Sequence, residues 1–202
     1  GLCFPNDMLG TEYCSLLWAN EPQIIREMVR VAAERTFAAV EQACQGGVDC
    51  IRLVGGEYAT ELMGPRAWDE LVVPFDKPLI EMIHAYGAVA HYHNHGRMQR
   101  VLESIADLQI DSLDPVEQEP YGDITMDEAL RRVGQRVCLV GGLDDMEVLE
   151  THPEAEVCAM AEELLQRSGK RDWMLAGTSS GIYGAAAARN FIALVDVAER
   201  YA

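Results

Sequence analysis

Short apolar segments separated by helical ones restrict this chain to a small set of folds. From Gln23 to Gln45 the apolar residues recur at spacings of three and four, which predicts an amphipathic helix that begins near Pro22 and ends at two glycines. The next segment, residues 48–54, is short and apolar and predicts a strand. Because strands that are separated by helices cannot pair as hairpins, we expect a parallel sheet with helices outside it.

The same alternation continues to the end of the chain. Further helices are predicted over residues 65–86, 97–108, 126–133, 153–168 and 186–201, and further strands over residues 88–92, 110–113, 137–140 and 173–176. A closed (β/α)8 barrel has eight such units in typically about 250 residues, and this chain has roughly five. The pattern therefore predicts an α/β fold, as a doubly wound sheet or as part of a barrel. The first twenty residues show no clear periodicity and are expected to be irregular.

Charge and composition narrow the classes of partner. The 202 residues include 16 Lys+Arg and 33 Asp+Glu, which gives a net charge of −17. Such a chain repels nucleic acid and anionic membrane surfaces, and no segment reaches the roughly 18 apolar residues of a membrane span. The six cysteines lack CxxC spacing and fit a reduced, cytoplasmic setting. We expect one soluble domain, residues 1–202, that acts on a small molecule.

Three histidines follow one predicted strand within five residues. These are His91, His93 and His95. Side chains alternate along a strand, so the three imidazoles would share a face if the strand persisted that far. Neutral imidazole is a good ligand for zinc. The cluster therefore predicts either a metal site or a substrate-binding site at this strand end.

Acidic and tyrosine side chains follow the same edge of the predicted sheet. Glu57 and Asp144 each come after a pair of glycines at the end of a strand. Aspartate often caps a helix or a turn, so both a capping and a functional role are open for Asp144, whereas glutamate is a poor cap and Glu57 is expected to be functional. Tyr58 and Tyr92 are candidate hydroxyl donors at this edge, with packing as the alternative.

Several of these turns resemble a known superfamily. His93-Asn94-His95-Gly96 resembles the His-x-Cys-Gly stretch of zinc-dependent corrinoid methyltransferases and the His-Gly turn of uroporphyrinogen decarboxylase-like proteins. Gly55-Gly56-Glu57-Tyr58 resembles a Gly-Asp-Asp turn of that superfamily, and Gly141-Gly142-Leu143-Asp144 its Gly-Asn-Ile-Asp. The resemblance runs from about Gly10 onward. It implies a (β/α)8 TIM barrel of the uroporphyrinogen decarboxylase and corrinoid methyltransferase superfamily, of which this chain is the C-terminal portion.

The resemblance also implies a function and a set of site residues. The function is zinc-dependent methyl transfer between a corrinoid carrier and a small acceptor, with the metal as a Lewis acid that lowers the pKa of the acceptor. The implied roles are zinc ligation by His93, His95 and Glu57, catalysis by Glu57, His91 and Asp144, and substrate binding by Tyr58, Tyr92 and Ser180. A corrinoid protein is an expected partner, and the open strand edges of an incomplete barrel favour a homo-oligomer.

Two positions depart from the pattern of the superfamily. Ser180 stands in the last turn, where the methyltransferases have a cysteine ligand and the decarboxylases have a histidine, and His95 replaces the cysteine of His-x-Cys. A thiolate-rich zinc site is therefore in doubt. Two alternatives stay open: decarboxylation of a porphyrinogen, which needs no cofactor, and a non-catalytic barrel that only binds a ligand.

Overall fold

The chain divides into two compact units of similar size. The computed structural model describes residues 1–169, 173–178 and 184–201. The first unit comprises Gly1–Gly96 and Glu103–Asp111, and the second comprises Arg97–Leu102 and Ser112–Ala202. A larger barrel can be divided into units of this kind, so the single domain predicted above stays a prediction.

The first unit contains two parallel strands and the longest described helix. Strands β1 and β2 pair in parallel, with Cys50 opposite Val89 and Val54 opposite His93. The elements are α1 (Cys3–Leu9), α2 (Thr11–Asn20), α3 (Pro22–Gln45), β1 (Cys50–Val54), α4 (Pro65–Ala67), α5 (Val73–Ala85), β2 (Val89–His93) and most of α6 (Leu102–Ala106), with π-helical segments at Tyr58–Met63 and Trp68–Val72.

The expectation of an irregular N-terminus is wrong. Helices α1 and α2 occupy most of the first twenty residues. Pro5 lies in the first turn of α1, where the missing N–H would have no partner within the helix. Cys14 is fully buried, and the guanidinium groups of Arg26 and Arg66 lie over the ring of Trp18, at 5.4 and 5.0 Å from its centroid. These contacts stabilise α2 although its own sequence has little helical periodicity.

The single helix predicted over residues 65–86 is interrupted. It consists of α4, a π-helical segment and α5, and the backbone N–H of Val73 donates to the carbonyl of Trp68, five residues earlier. Pro74 and Pro78 both lie in α5 and have no N–H to donate. The π-helical segment ends just before Pro74, which lies in the first turn of α5. The break in the predicted helix therefore coincides with a proline that the sequence already showed.

The second unit also alternates strands with helices. Strand β3 pairs in parallel with β4, and β4 pairs in parallel with β5. The elements are β3 (Ser112–Val116), α7 (Met126–Val133), β4 (Cys138–Leu143), a π-helical segment (Asp145–Leu149), α8 (Glu154–Ser168), β5 (Trp173–Gly177) and α9 (Ala185–Glu199). Parallel strands alternate with helices in both units, and the predicted α/β class is confirmed.

Each unit has its own apolar core. In the first unit α5 contacts α3 and β2, and the fully buried side chains include Ile25, Ile80, Ile83 and Tyr92. In the second, a cluster joins β4 to the helices that follow it, through Leu143, Leu149, Val157, Ala161, Ala187, Leu194 and Val197. Within the described part of the chain, no helix is both long and apolar enough to cross a membrane.

Candidate functional site in the first unit

The two faces of the β1–β2 pair differ in chemistry. Arg52 lies opposite His91, and Leu53 lies opposite Tyr92. Because side chains alternate, Arg52, His91 and His93 share one face, and Leu53 and Tyr92 share the other. Leu53 is 8% exposed and Tyr92 is 0% exposed. The apolar face is therefore packed into the core, and the other face carries a guanidinium and imidazoles.

The histidines form a close group at the end of β2. His91 and His93 lie on the same face of the strand, as the alternation predicted, and β2 ends at His93. The rings of His93 and His95 meet edge to face with their centroids 4.5 Å apart. Nη2 of Arg52 lies 2.7 Å from Nδ1 of His93, so the guanidinium donates a hydrogen bond to this ring.

Glu57 lies in the turn that follows β1. Its Oε2 accepts a hydrogen bond of 3.1 Å from the backbone N–H of Gly55. Burial and the nearby Glu57 carboxylate raise the pKa of the Cys3 thiol to about 11. Burial, together with the negative charges of Asp7, Cys3 and Glu57, also raises the pKa of the Tyr58 phenol. The Glu57 carboxylate therefore lies in a half-buried turn, close to the Cys3 thiol and the Tyr58 phenol.

Gly56 brings this turn against the end of β2. A Cβ atom at position 56 would lie 2.4 Å from Oδ1 of Asn94 and 2.8 Å from the hydroxyl of Tyr92. Only a residue without a side chain allows the turn to approach these two groups so closely. The turn that carries Glu57 therefore packs against Tyr92, on the apolar face of β2, and against Asn94 just beyond the end of the strand. The predicted meeting of Glu57 with the imidazoles stays a prediction.

Tyr92 has a packing role in place of the predicted substrate contact. Its ring is fully buried and meets Trp68 edge to face at 6.5 Å, and its hydroxyl donates to Oδ2 of Asp76 at 2.8 Å. Burial, with the Asp76 carboxylate beside it, raises the pKa of the Tyr92 phenol well above its usual value. Desolvation likewise raises the pKa of the Asp76 carboxyl, and the hydrogen bond from Tyr92 opposes that rise in part.

Asn94 fixes the backbone between the last two histidines. It is fully buried, and its amide nitrogen donates to Oγ1 of Thr60 and to the carbonyl of His95. Among the described residues, none donates a hydrogen bond to its Oδ1. An unsatisfied buried oxygen costs free energy, which is consistent with a site whose geometry is not optimised for stability alone.

Two predicted site residues belong to the second unit. The Asp144 carboxylate caps the π-helical segment, since Oδ1 accepts from the backbone N–H groups of Met146 and Glu147, and Oδ2 accepts from the hydroxyl of Thr178. This is the capping role that the sequence left open for Asp144. The predicted substrate contact Ser180 lies outside the described residues.

Removal of the Asp144 cap is expected to cost stability. We expect Asp144→Ala to lower the free energy of unfolding by about 1 kcal/mol, because two backbone N–H groups lose their acceptor. Urea denaturation followed by circular dichroism measures the change. Asp196→Ala, at an exposed position within α9, is the matched control and should change stability by less than about 0.5 kcal/mol. An Asp144→Ala protein as stable as this control would contradict the capping role.

The donor set does not fit the predicted zinc site. Among residues 1–169, 173–178 and 184–201, no group of three or more His, Cys, Asp or Glu side chains is arranged to hold a metal ion. Moreover, Nδ1 of His93 accepts a hydrogen bond from a permanent cation. The zinc prediction therefore finds no support in these side chains, and no step of the reaction proposed below depends on a metal.

Three residues of this site were missed by the sequence reasoning: Arg52, Asp76 and Asn94. Arg52 did carry a signal, since it is the one charged residue among the otherwise apolar residues 50–54. Asp76 lies four residues before the buried Ile80 and so falls on the apolar side of α5, where a carboxylate is unusual. Asn94 lies inside the histidine cluster itself and had no separate signal.

Comparisons with known proteins agree with the fold. A methyltransferase from Methanosarcina mazei has a similar structure, with a TM-score of 0.78 and 19% sequence identity; the match covers 98% of this chain and 56% of that protein. The chain thus spans little more than half the length of that protein. No curated protein matches the chain. The predicted α/β fold, as part of a TIM barrel, is confirmed.

The sequence itself matches one family over nearly its whole length. The match is to the uroporphyrinogen decarboxylase (URO-D) family, and it covers residues 7–201. It includes β1, β2, the Glu57 turn and the histidine cluster. The superfamily inferred from the motifs is confirmed, and the chain belongs to the URO-D family.

Proposed function

We propose that this chain is the C-terminal, site-bearing portion of an enzyme that transfers a methyl group between a corrinoid carrier and a small acceptor. The observation that carries the proposal is the close packing of the Glu57 turn, through Gly56, against Asn94, which lies between His93 and His95 in the chain. The similarity of the fold to a methyltransferase over 98% of the chain favours this chemistry within the family.

The chemistry requires a group that removes one proton. The carrier supplies the methyl group and keeps the electron pair of the bond that breaks. The acceptor forms the new bond to carbon and loses the proton that it held on its nucleophilic atom. We assign this proton to Glu57, whose carboxylate lies in the half-buried turn after β1.

Three other candidate residues of the first unit are assigned to substrate binding. His91 and His93 lie on the face of β2 away from the core, and Tyr58 directly follows Glu57. These side chains offer hydrogen-bonding groups that can orient a small acceptor. Asp144 is assigned to capping in the second unit and not to catalysis. The proposal also includes a corrinoid protein as partner and association with a second copy of the chain. It further includes a cytoplasmic setting, with which the six free thiols agree.

Methyl transfer can be tested directly with a simple carrier and acceptor. The chain is incubated with methylcobalamin and 2-mercaptoethanol in the dark, and the methylated thiol is measured by mass spectrometry. We expect Glu57→Gln to slow its formation by at least about 100-fold, since general base catalysis contributes about that much or more. His152→Ala removes a histidine of the second unit and should leave the rate unchanged. Product formation no faster than in buffer, or an unchanged rate in Glu57→Gln, would contradict the proposal.

A second candidate function is decarboxylation of a porphyrinogen. The specific observation in its favour is Arg52, since a guanidinium beside imidazoles can bind a carboxylate. The family match is consistent with it. Incubation of the chain with uroporphyrinogen under anaerobic conditions, followed by mass spectrometry of the porphyrins, distinguishes the two. Loss of carboxyl groups without methyl transfer would favour this candidate, and binding without either product would favour a ligand-binding barrel.

A further inference from the structure

Arg52 and His93 make a contact that differs from the usual surroundings of a metal-binding histidine. Nη2 of Arg52 lies 2.7 Å from Nδ1 of His93, and His93 is only 5% exposed. Arg52 lies on β1 opposite His91, on the same strand face as His93. The guanidinium therefore reaches along this face of the strand pair, past His91, to the next side chain of β2 on the same face.

The chemistry of the two groups fixes the position of one proton. Guanidinium is always protonated in proteins and can only donate hydrogen bonds. Nδ1 of His93 must therefore be the acceptor. A neutral imidazole has one acceptor nitrogen and one N–H, so the proton is on Nε2.

The contact with Arg52 occupies the nitrogen through which this tautomer would bind zinc. A metal-binding histidine normally coordinates through one nitrogen and donates its other N–H to a carboxylate, a carbonyl or a water. His93 has the opposite arrangement, because its Nδ1 accepts from a cation and its Nε2 bears the proton. Neither nitrogen has a lone pair available to a metal while the contact with Arg52 is made.

We infer that Arg52 is a positioning residue that holds His93 in the Nε2–H tautomer, so that this imidazole does not bind a zinc ion. The inference rests on the proposed function only for the identity of the substrate, and not for the tautomer. His95, whose ring lies edge to face against His93, helps to fix the orientation of the ring.

Nuclear magnetic resonance reads the tautomer without any assay of activity. The chain is labelled with ¹⁵N-histidine, and long-range ¹H–¹⁵N correlations are recorded at a pH at which the rings are neutral, with His93→Ala used for assignment. We expect the signals of His93 to show the proton on Nε2. Arg52→Met should shift the ratio of the two tautomers toward the Nδ1–H form by about tenfold or more, because a hydrogen bond to a charged donor is lost. Arg35→Met, which removes an arginine from α3, should leave the ratio unchanged.

Zinc content provides a second, independent readout. The wild-type chain and His93→Ala are dialysed against zinc sulfate and then against buffer, and bound zinc is measured by mass spectrometry. We expect equal zinc content in the two proteins. An Nδ1–H tautomer in the wild type, or stoichiometric zinc that is lost in His93→Ala, would overturn the inference even if Arg52→Met failed to fold. Methyl transfer that fails while the Nε2–H tautomer is observed would refute the proposed function and leave the role of Arg52 intact.

Discussion

Replacement of Gly56 by alanine is expected to lower the free energy of unfolding by about 1–3 kcal/mol and to disturb the candidate site at the same time. The added Cβ would lie 2.4 Å from Oδ1 of Asn94 and 2.8 Å from the hydroxyl of Tyr92. Both neighbours are fully buried, so neither can move away into solvent. Either the Glu57 turn or the end of β2 must shift to make room.

The stability change is measured by urea denaturation, and the disturbance of the site by the rate of methyl transfer. Gly46→Ala is the matched control, because Gly46 has φ of −74° and its Cβ would come no closer than 3.1 Å to its nearest neighbour, the carbonyl oxygen of Ala43. We expect that change to cost much less. If Gly56→Ala were as stable as Gly46→Ala, the close approach of the turn to β2 would be refuted.

Loss of the Tyr92 hydroxyl is expected to cost about 1–3 kcal/mol of stability at neutral pH, which is the usual penalty for leaving a buried partner without its hydrogen bond. In Tyr92→Phe the Asp76 carboxylate loses the donor that lies 2.8 Å away, while the apolar ring stays in place. Tyr13→Phe is the matched control, because Tyr13 is 55% exposed, and it should change stability by less than about 0.5 kcal/mol.

The dependence on pH identifies Asp76 as the group responsible. Desolvation raises the pKa of Asp76 in the folded chain above its value in the unfolded chain, so the folded chain holds its proton to higher pH. The stability associated with the neutral carboxyl is fully present below the unfolded pKa and is lost as the pH rises through the folded pKa. Asp76→Asn cannot ionise. Its stability relative to the wild type should therefore increase as the pH is raised from about 4 to 8. If the stability of Asp76→Asn relative to the wild type stayed constant or decreased with pH, the pKa of Asp76 would not be raised by burial.

The order of strands and helices could be predicted because each element has a period that reflects burial on one side. Helix α3 follows its predicted bounds to within a residue at Pro22–Gln45, and α7 matches Met126–Val133. The helix predicted over residues 97–108 is shorter in the structure, at Leu102–Ala106. In the segment before it, the backbone N–H of Gln99 donates to the carboxylate of Asp123 at 2.9 Å and not to a helical carbonyl. A side chain 24 positions away leaves no trace in the local pattern.

The site was only partly accessible from the sequence for a similar reason. Motif spacing placed Glu57 and the histidines at neighbouring strand ends, and the turn of Gly56 does bring these ends together. The hydrogen bonds of Arg52 to His93 and of Tyr92 to Asp76 join residues 41 and 16 positions apart, and their existence depends on strand register and helix packing. Sequence periodicity identifies which face a residue occupies, but it does not identify the partner that the residue meets there.

The alternation of histidine and tyrosine along β2 makes the length of the preceding loop critical. A deletion or insertion of one residue near Gly87 that slid the strand by one position would exchange its two faces. Tyr92 would then leave Asp76, and the imidazoles of His91 and His93 would be driven against Ile80 and Ile83 in an apolar core. Changes of length should therefore be tolerated in this loop only in pairs, whereas substitutions that preserve its length should be accepted far more readily.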